Sequence, residues 1–509
     1  MRPGRKHSLL STHYALLVAF LSVKAIYAEN ILQEEASPSC YAGDIVGAGE
    51  LGTQCETNMI MGTSKQEPGL AGISAYSQIR LNADEYPPAP ANLELEQVHV
   101  YVRHGERTPV GVRLAGPPAS IPEHWNMCRT ARKFRAAVSS AFDPGSTREP
   151  GDKETISTRK LVERRDGSRV EGECLLGELT DLGRQSTYNF GRNLRKIYID
   201  KLGFIPDVLS NNDQVYFRST NIPRTTESLQ QIIHGLYPTT KCDSSVQPPL
   251  LVRNGKDENL IGNTYVCKRL ELLQVGFAMA AAQAFNRSLE PLDSKISKYL
   301  NGNPIRVDGK PRASGVMDTI RAAVAHGVKV PPEFEDKSIV DTIEQAVVSE
   351  WFADKTEEVR RLGMGPLLSD MTRKMQDKIK HKAADPLKVL VHSTHDTAIA
   401  ALASTFDVFD ENWPAFTASI TFELFKQRAT QSPSKFSQNI LSRISSDPSA
   451  DYYIRMRHQN KNVVLPLCAP EGSHLAGHPE ICTFSAFKAR VAELTPTDWD
   501  AECSSPGRA

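Results

Sequence analysis

Three short apolar runs limit what this chain can become. Residues 97–103, 214–217 and 387–392 each read as a β-strand, each ends in a polar turn, and each turn leads into a helical pattern. The first run alternates Val98, Val100 and Val102, the period of an extended chain. Residues 183–198, introduced by Leu179-Thr180-Asp181, and residues 225–235 carry the spacing of amphipathic helices. Repeated strand–turn–helix units predict an α/β fold, with a mainly parallel sheet and helices on both faces. With 509 residues the chain exceeds one ordinary core. Between about 240 and 385, segments 278–285 and 341–382 read as helices with few strand signals, which predicts an inserted helical domain. The core is therefore expected in two parts, 91–239 and 386–503. Polar stretches 143–173 and 427–451 read as surface insertions.

The start of the chain has the layout of a secretory signal over 1–28. Arg2, Arg5 and Lys6 precede a short apolar stretch, and Ile26-Tyr27-Ala28 fits a cleavage site. Residues 29–90 are irregular, end at Pro87-Pro88-Ala89-Pro90, and read as an extension or linker. The full chain has 60 basic and 60 acidic residues; without the four basic residues of 1–28 its net charge is −4. That disfavours nonspecific nucleic-acid binding over the whole surface. No later segment is apolar enough to read as a membrane span. All nine cysteines follow the signal, where an oxidising compartment pairs most of them and an odd number leaves one over. Cys468, His474, His478 and Cys482 resemble a zinc set only superficially, and the secretory context favours a Cys468–Cys482 disulfide. Asn286-Arg287-Ser288 is an N-glycosylation sequon.

The first strand delivers Arg103, His104, Gly105 and Arg107 into a turn that Pro109 closes. Cationic neighbours hold an imidazole neutral, and a neutral imidazole is a nucleophile. Guanidinium groups grip phosphoryl oxygens through paired N–H donors. This combination points to attack on phosphorus by His104. Two later turns also follow strands: Phe217-Arg218-Ser219-Thr220 and His392-Ser393-Thr394-His395-Asp396-Thr397. Ligands of open α/β sheets bind beyond the carboxyl ends of the strands, so the topology can gather Arg103, Arg107, Arg218, His395 and Asp396 around His104.

Arg-His-Gly-x-Arg-x-Pro, a later Arg-Ser-Thr and a late His-Asp, in this order, resemble the histidine acid phosphatases of the phosphoglycerate-mutase-like superfamily. Leu179-Thr180 with Gly183 is similar to that family's Leu-Thr-x-x-Gly helix start, and Pro223-Arg224-Thr225 continues the Arg-Ser-Thr block as the family does. The resemblance covers roughly 95–490. It implies a phosphatase for small phosphate monoesters that needs no metal or other cofactor, and the signal segment makes it secreted or lumenal. In that reading His104 becomes a phosphohistidine, and Arg103, Arg107, Arg218 and a positively charged His395 hold the phosphoryl oxygens. A protonated Asp396 donates to the leaving alcohol and then helps activate water.

Blander readings exist for several of these residues. His395-Asp396 can be a helix cap. Arg224 belongs either to the outer pocket or to an ion pair with an acid on its helix. His99 and His392 read as core residues, and His124 as a candidate for the pocket mouth. Glu106 and Thr397 stand where phytase-like members carry a small residue and Asn. Glu106 adds negative charge that disfavours a polyanion, which lowers phytase relative to general or lysophosphatidic-acid-type phosphatases. A phosphoryl mutase and an inactive phospho-ligand-binding relative are the competing classes.

Overall fold

A computed structural model of the protein describes residues 80–130, 133–137, 155–428 and 448–504. The signal segment, most of the extension and parts of both surface insertions lie outside the described residues.

Nine of the described strands form one sheet. They are β1 Leu93–Arg103, β2 Val215–Ser219, β3 Leu250–Leu251, β4 Val389–Thr394, β5 Ser419–Gln427, β6 Tyr452–His458, β7 Lys461–Val463, β8 His474–Leu475 and β9 His478–Thr483. Across the sheet the order is β8-β9-β6-β5-β1-β4-β2-β3, with β7 on β6. The pairs β1–β4, β4–β2 and β2–β3 are parallel. β5, β6 and β9 extend the sheet from β1 in antiparallel fashion. The three apolar runs of the sequence are thus neighbours, in the parallel half. The antiparallel half was not named from the sequence.

The principal helices are α1 Asp181–Arg195, α2 Pro223–Leu236, α3 Lys268–Leu289, α4 Ala313–Ala325, α5 Lys337–Phe352, α6 Glu357–Gly363, α7 Gly365–His381, α8 Asp396–Thr405 and α9 Phe484–Leu494. β1 is buried from Gln97 to Arg103 because both its faces are covered. Val98, Val100 and Val102 pack with Phe190 and Leu194 of α1 and Leu229 and Ile232 of α2. Tyr101 points the other way, into a cluster with Leu367 and Met371 of α7, Leu402 of α8 and Phe487 of α9. Of the 240–385 span, α3, α4 and α5 share a separate core (Leu289, Val316, Ile320, Ile343, Val347) with Ile121 and Trp125 from the segment after β1. α7 packs on the sheet instead.

Disulfides Cys128–Cys174, Cys267–Cys503 and Cys468–Cys482 tie the described residues, and Cys242 is in none. The Cys468–Cys482 pair uses the two thiols a zinc site would need. His474 bonds the Cys468 carbonyl through Nδ1 (2.7 Å), and His478 pairs with Glu480. Residues 80–90 are latched to the core: Tyr86 Oη donates to the buried Glu423, and Arg455 donates to the Pro87 carbonyl. Among the described residues no helix is long and apolar enough to cross a membrane.

Register decides where the chemistry sits. Arg103 is opposite Thr394, and Ser219 is opposite Ser393, so β1, β4 and β2 end level. Their three following turns meet at one edge of the sheet.

Candidate active site

The turn after β1 is pinned from both sides. His104 N–H donates to the Thr394 carbonyl (2.9 Å), and Thr417 N–H donates to the His104 carbonyl (3.2 Å). A Cβ on Gly105 would lie 2.4 Å from the Gly183 carbonyl oxygen, and one on Gly183 would lie 2.1 Å from that of Glu106. Two glycines therefore let the first turn of α1 press against this turn. Thr180 caps α1: its hydroxyl accepts from Gly183 N–H (3.2 Å), while its own N–H donates to the Glu106 carbonyl (3.0 Å).

His104 is 1% exposed, and its Nδ1 lies 2.8 Å from the Gly105 carbonyl oxygen. A carbonyl only accepts, so Nδ1 carries the proton and Nε2 keeps the lone pair. Burial, then the charges of Arg224, Arg103 and Arg107, hold the imidazole pKa well below its usual value. His104 is a neutral base ringed by cations.

Each neighbouring cation has a fixed post. Arg103 donates to Asp396 Oδ2 (2.6 Å) and to the Pro414 carbonyl, with its guanidinium 4.3 Å from the centre of the Phe416 ring. Arg107 donates to Asp318 of α4 (2.8 Å). Arg224 lies in the first turn of α2, which is docked on the His104 turn: Gly105 N–H donates to Ser228 Oγ, which donates to the Arg224 carbonyl. His395 stands just before α8, its ring centre 5.7 Å from that of His104 and its Nε2 3.0 Å from Thr220 Oγ1. Asp396 opens α8, accepting from Thr397 N–H at Oδ1 (2.9 Å) and from the Trp413 indole N–H at Oδ2 (3.1 Å).

Arg218 does not join this group. It sits inside β2 opposite His392, which is itself opposite Tyr101. Registered residues share a sheet face, and this one is covered by α7. There the Arg218 guanidinium pairs with Glu258 and donates to Asn259 Oδ1 (2.8 Å). Arg224, which the sequence left between two readings, takes its place: its charge is the largest acting on both His104 and His395.

Two protonation states expected from the sequence also differ in the structure. Burial, followed by the charge of Arg224, depresses the His395 pKa to about 3, so the ring is neutral. Burial alone would raise the Asp396 pKa, but Arg103 and Arg107 outweigh it and the carboxyl stays below its usual range, ionised.

A cleft of about 1170 Å³ opens between the sheet edge and the helical unit. Arg103, Arg107, Asp396 and Phe416 wall it on one side, and Met317, Asp318 and Arg321 on the other. Glu106 lies at this cleft, accepting from Ser186 Oγ and facing Arg80 at 3.6 Å. His124 pairs with Glu173 and does not line the cleft. His99 and His392 are buried in the sheet. Sequence reasoning missed Asp318, Trp413, Phe416 and Arg80. Among the described residues no group of three or more His, Cys, Asp or Glu side chains is placed to hold a metal.

The profile of the histidine phosphatase superfamily (branch 2) matches residues 94–459. The chain belongs to that superfamily. A probable acid phosphatase of Schizosaccharomyces pombe is 34% identical over 442 residues, covering 81% of this chain and 95% of that protein. Human lysophosphatidic acid phosphatase type 6 is 24% identical over 447 residues, covering 84% and 91%. A solved Hafnia alvei phytase, in complex with myo-inositol hexakis sulphate, has a TM-score of 0.50 and 14% identity, covering 82% of this chain and 100% of that one. At that identity it supports the fold alone.

Proposed function

We propose that this protein is an acid phosphatase cleaving phosphate monoesters through a phosphohistidine at His104. The observation that carries the reading is the unprotonated Nε2 of His104, left free by the Nδ1–carbonyl bond and set among Arg103, Arg107, Arg224 and His395. Nε2 attacks phosphorus while the arginines and His395 spread charge over the equatorial oxygens. The bond to the alcohol oxygen breaks, and Asp396 supplies that oxygen's proton. Asp396 then takes a proton from the water that attacks the phosphohistidine, releasing inorganic phosphate and the free imidazole. Asp396 gains its proton when substrate arrives, because a phosphoryl group draws on the arginines that hold the carboxylate ionised.

Most cations around the cleft are answered by carboxylates, among them Arg80 by Glu106, Arg107 by Asp318, Arg321 by Glu344 and Lys337 by Asp341. This balance favours a singly phosphorylated substrate over a polyanion. Ile399, Ala403, Phe409 and Val463 give the cleft an apolar wall, which suits an alcohol with an apolar body. Comparing rates on lysophosphatidate and inositol hexaphosphate tests this preference. The disulfides support an oxidising, secreted or lumenal setting, with cleavage of 1–28. Glycosylation at Asn286 is part of the same proposal, although its side-chain amide already donates to Asp308 and accepts from Val307 N–H.

Alkaline-quench labelling with a radioactive phosphate ester is expected to trap a base-stable, acid-labile adduct that His104→Ala abolishes. Turnover without any trapped label overturns the phosphohistidine. Asp396→Asn is expected to slow alkyl phosphates about a hundredfold and p-nitrophenyl phosphate far less, since nitrophenolate leaves without a proton. Release of free phosphate separates this enzyme from a mutase or a binding protein.

A further inference from the structure

Trp413 lies between α8 and β5, 17 residues after Asp396 and outside the sequence motifs. Its indole N–H reaches Oδ2 of Asp396 at 3.1 Å, the oxygen that also accepts from Arg103 at 2.6 Å. Among the described residues Oδ1 accepts only from Thr397 N–H. A carboxylate oxygen has two in-plane lone pairs, so Oδ2 is filled and Oδ1 has one vacant. We infer that Trp413 is a positioning residue whose indole N–H holds the Asp396 carboxyl so that Oδ1 carries the proton delivered to the leaving alcohol. This rests on the proposed role of Asp396 as proton donor.

The surroundings of Trp413 suit that task. Its ring packs edge-on to Trp351 (centres 5.8 Å apart) and against Phe352 (5.2 Å). Its backbone N–H donates to Glu344 Oε1 (2.7 Å), and its carbonyl accepts from Arg321. Glu344 is on α5 and Arg321 on α4, so the helical unit fixes the indole from behind. A charged Arg103 is drawn to an arriving phosphoryl group. The neutral indole N–H is not, and it keeps the carboxyl in place when that partner is shared.

Trp413→Phe keeps an aromatic ring and removes the donor. The expected result is a fall in kcat of about tenfold on a simple alkyl phosphate, with KM unchanged and less than about twofold loss on p-nitrophenyl phosphate. Combined with Asp396→Asn it should add no further loss, because both changes act on one proton transfer. Equal losses on the two substrates, or losses that multiply in the double variant, overturn the inference. Should Trp413→Phe not fold, Glu344→Ala loosens the Trp413 backbone and is expected to give the same substrate-selective loss; equal losses there overturn it as well. If Asp396→Asn alone slows both substrates equally, the proton-donor role fails and this inference fails with it.

Discussion

Arg218 and Arg224 are six residues apart and do different work. Arg218, with its side chain 2% exposed beside Glu258, neutralises a buried carboxylate. Arg218→Ala should cost about 3 kcal/mol or more in urea unfolding, because it strands that carboxylate, and should leave vanadate binding within about twofold. Arg224→Ala should lower kcat/KM about a hundredfold with little change in the unfolding midpoint. Exchanged outcomes return Arg218 to the phosphoryl site. The sequence misled here for a local reason. A strand read as ending at Phe217 puts Arg218 in the following turn, but β2 continues through Ser219 and the arginine falls within the ladder. Residues sharing a motif with a strand end, namely Arg103, His104, Arg107, His395 and Asp396, were legible. Asp318 and Trp413 were not, because they reach the site through tertiary packing and no local pattern marks them.

At the level of elements, the sequence located the parallel strands and left the antiparallel ones unnamed. In β5 and β6 apolar Ile420, Phe422, Leu424, Ile454 and Met456 alternate with polar residues that include Glu423, Arg455 and Arg457. They face inward: Glu423 is 0% exposed, lies 2.7 Å from Arg455 and 3.2 Å from Arg457, and accepts from the hydroxyls of Tyr86 and Tyr198. One carboxylate thus joins two strands, α1's wider C-terminal turn (Lys196–Lys201) and the 80–90 segment. Burial alone would raise its pKa, but the two arginines bring it down from 4.5 to about 2. A depressed carboxyl pKa stabilises above the unfolded value and loses that contribution as pH falls from about 4.5 through about 2. Glu423→Gln should lower unfolding free energy at neutral pH by about 3–5 kcal/mol, since two buried guanidinium groups lose their counterion. An unchanged urea midpoint would show the network to be incidental.

For the whole molecule, binding and protonation are linked. His395, at about 3, and the depressed Asp396 are both unprotonated in the ligand-free protein near neutral pH. A bound dianion raises both pKa values, so binding takes up protons and affinity increases as pH falls toward the ligand-free values. Sulfate tests this, because its own charge is constant over the range. Calorimetry in two buffers of different ionisation heat should show proton uptake and tighter binding at pH 5 than at pH 7; no uptake would contradict the linkage. The same arrangement bears on how the catalytic cycle ends. Asp318, from the helical unit, and Asp396, from the sheet edge, occupy Arg107 and Arg103 before any ligand arrives. Bare arginines would cling to inorganic phosphate as firmly as to substrate. In the proposed cycle the departing anion is replaced by carboxylates already tethered within reach, so the protein carries its own displacing counterions and empties its site for the next ester.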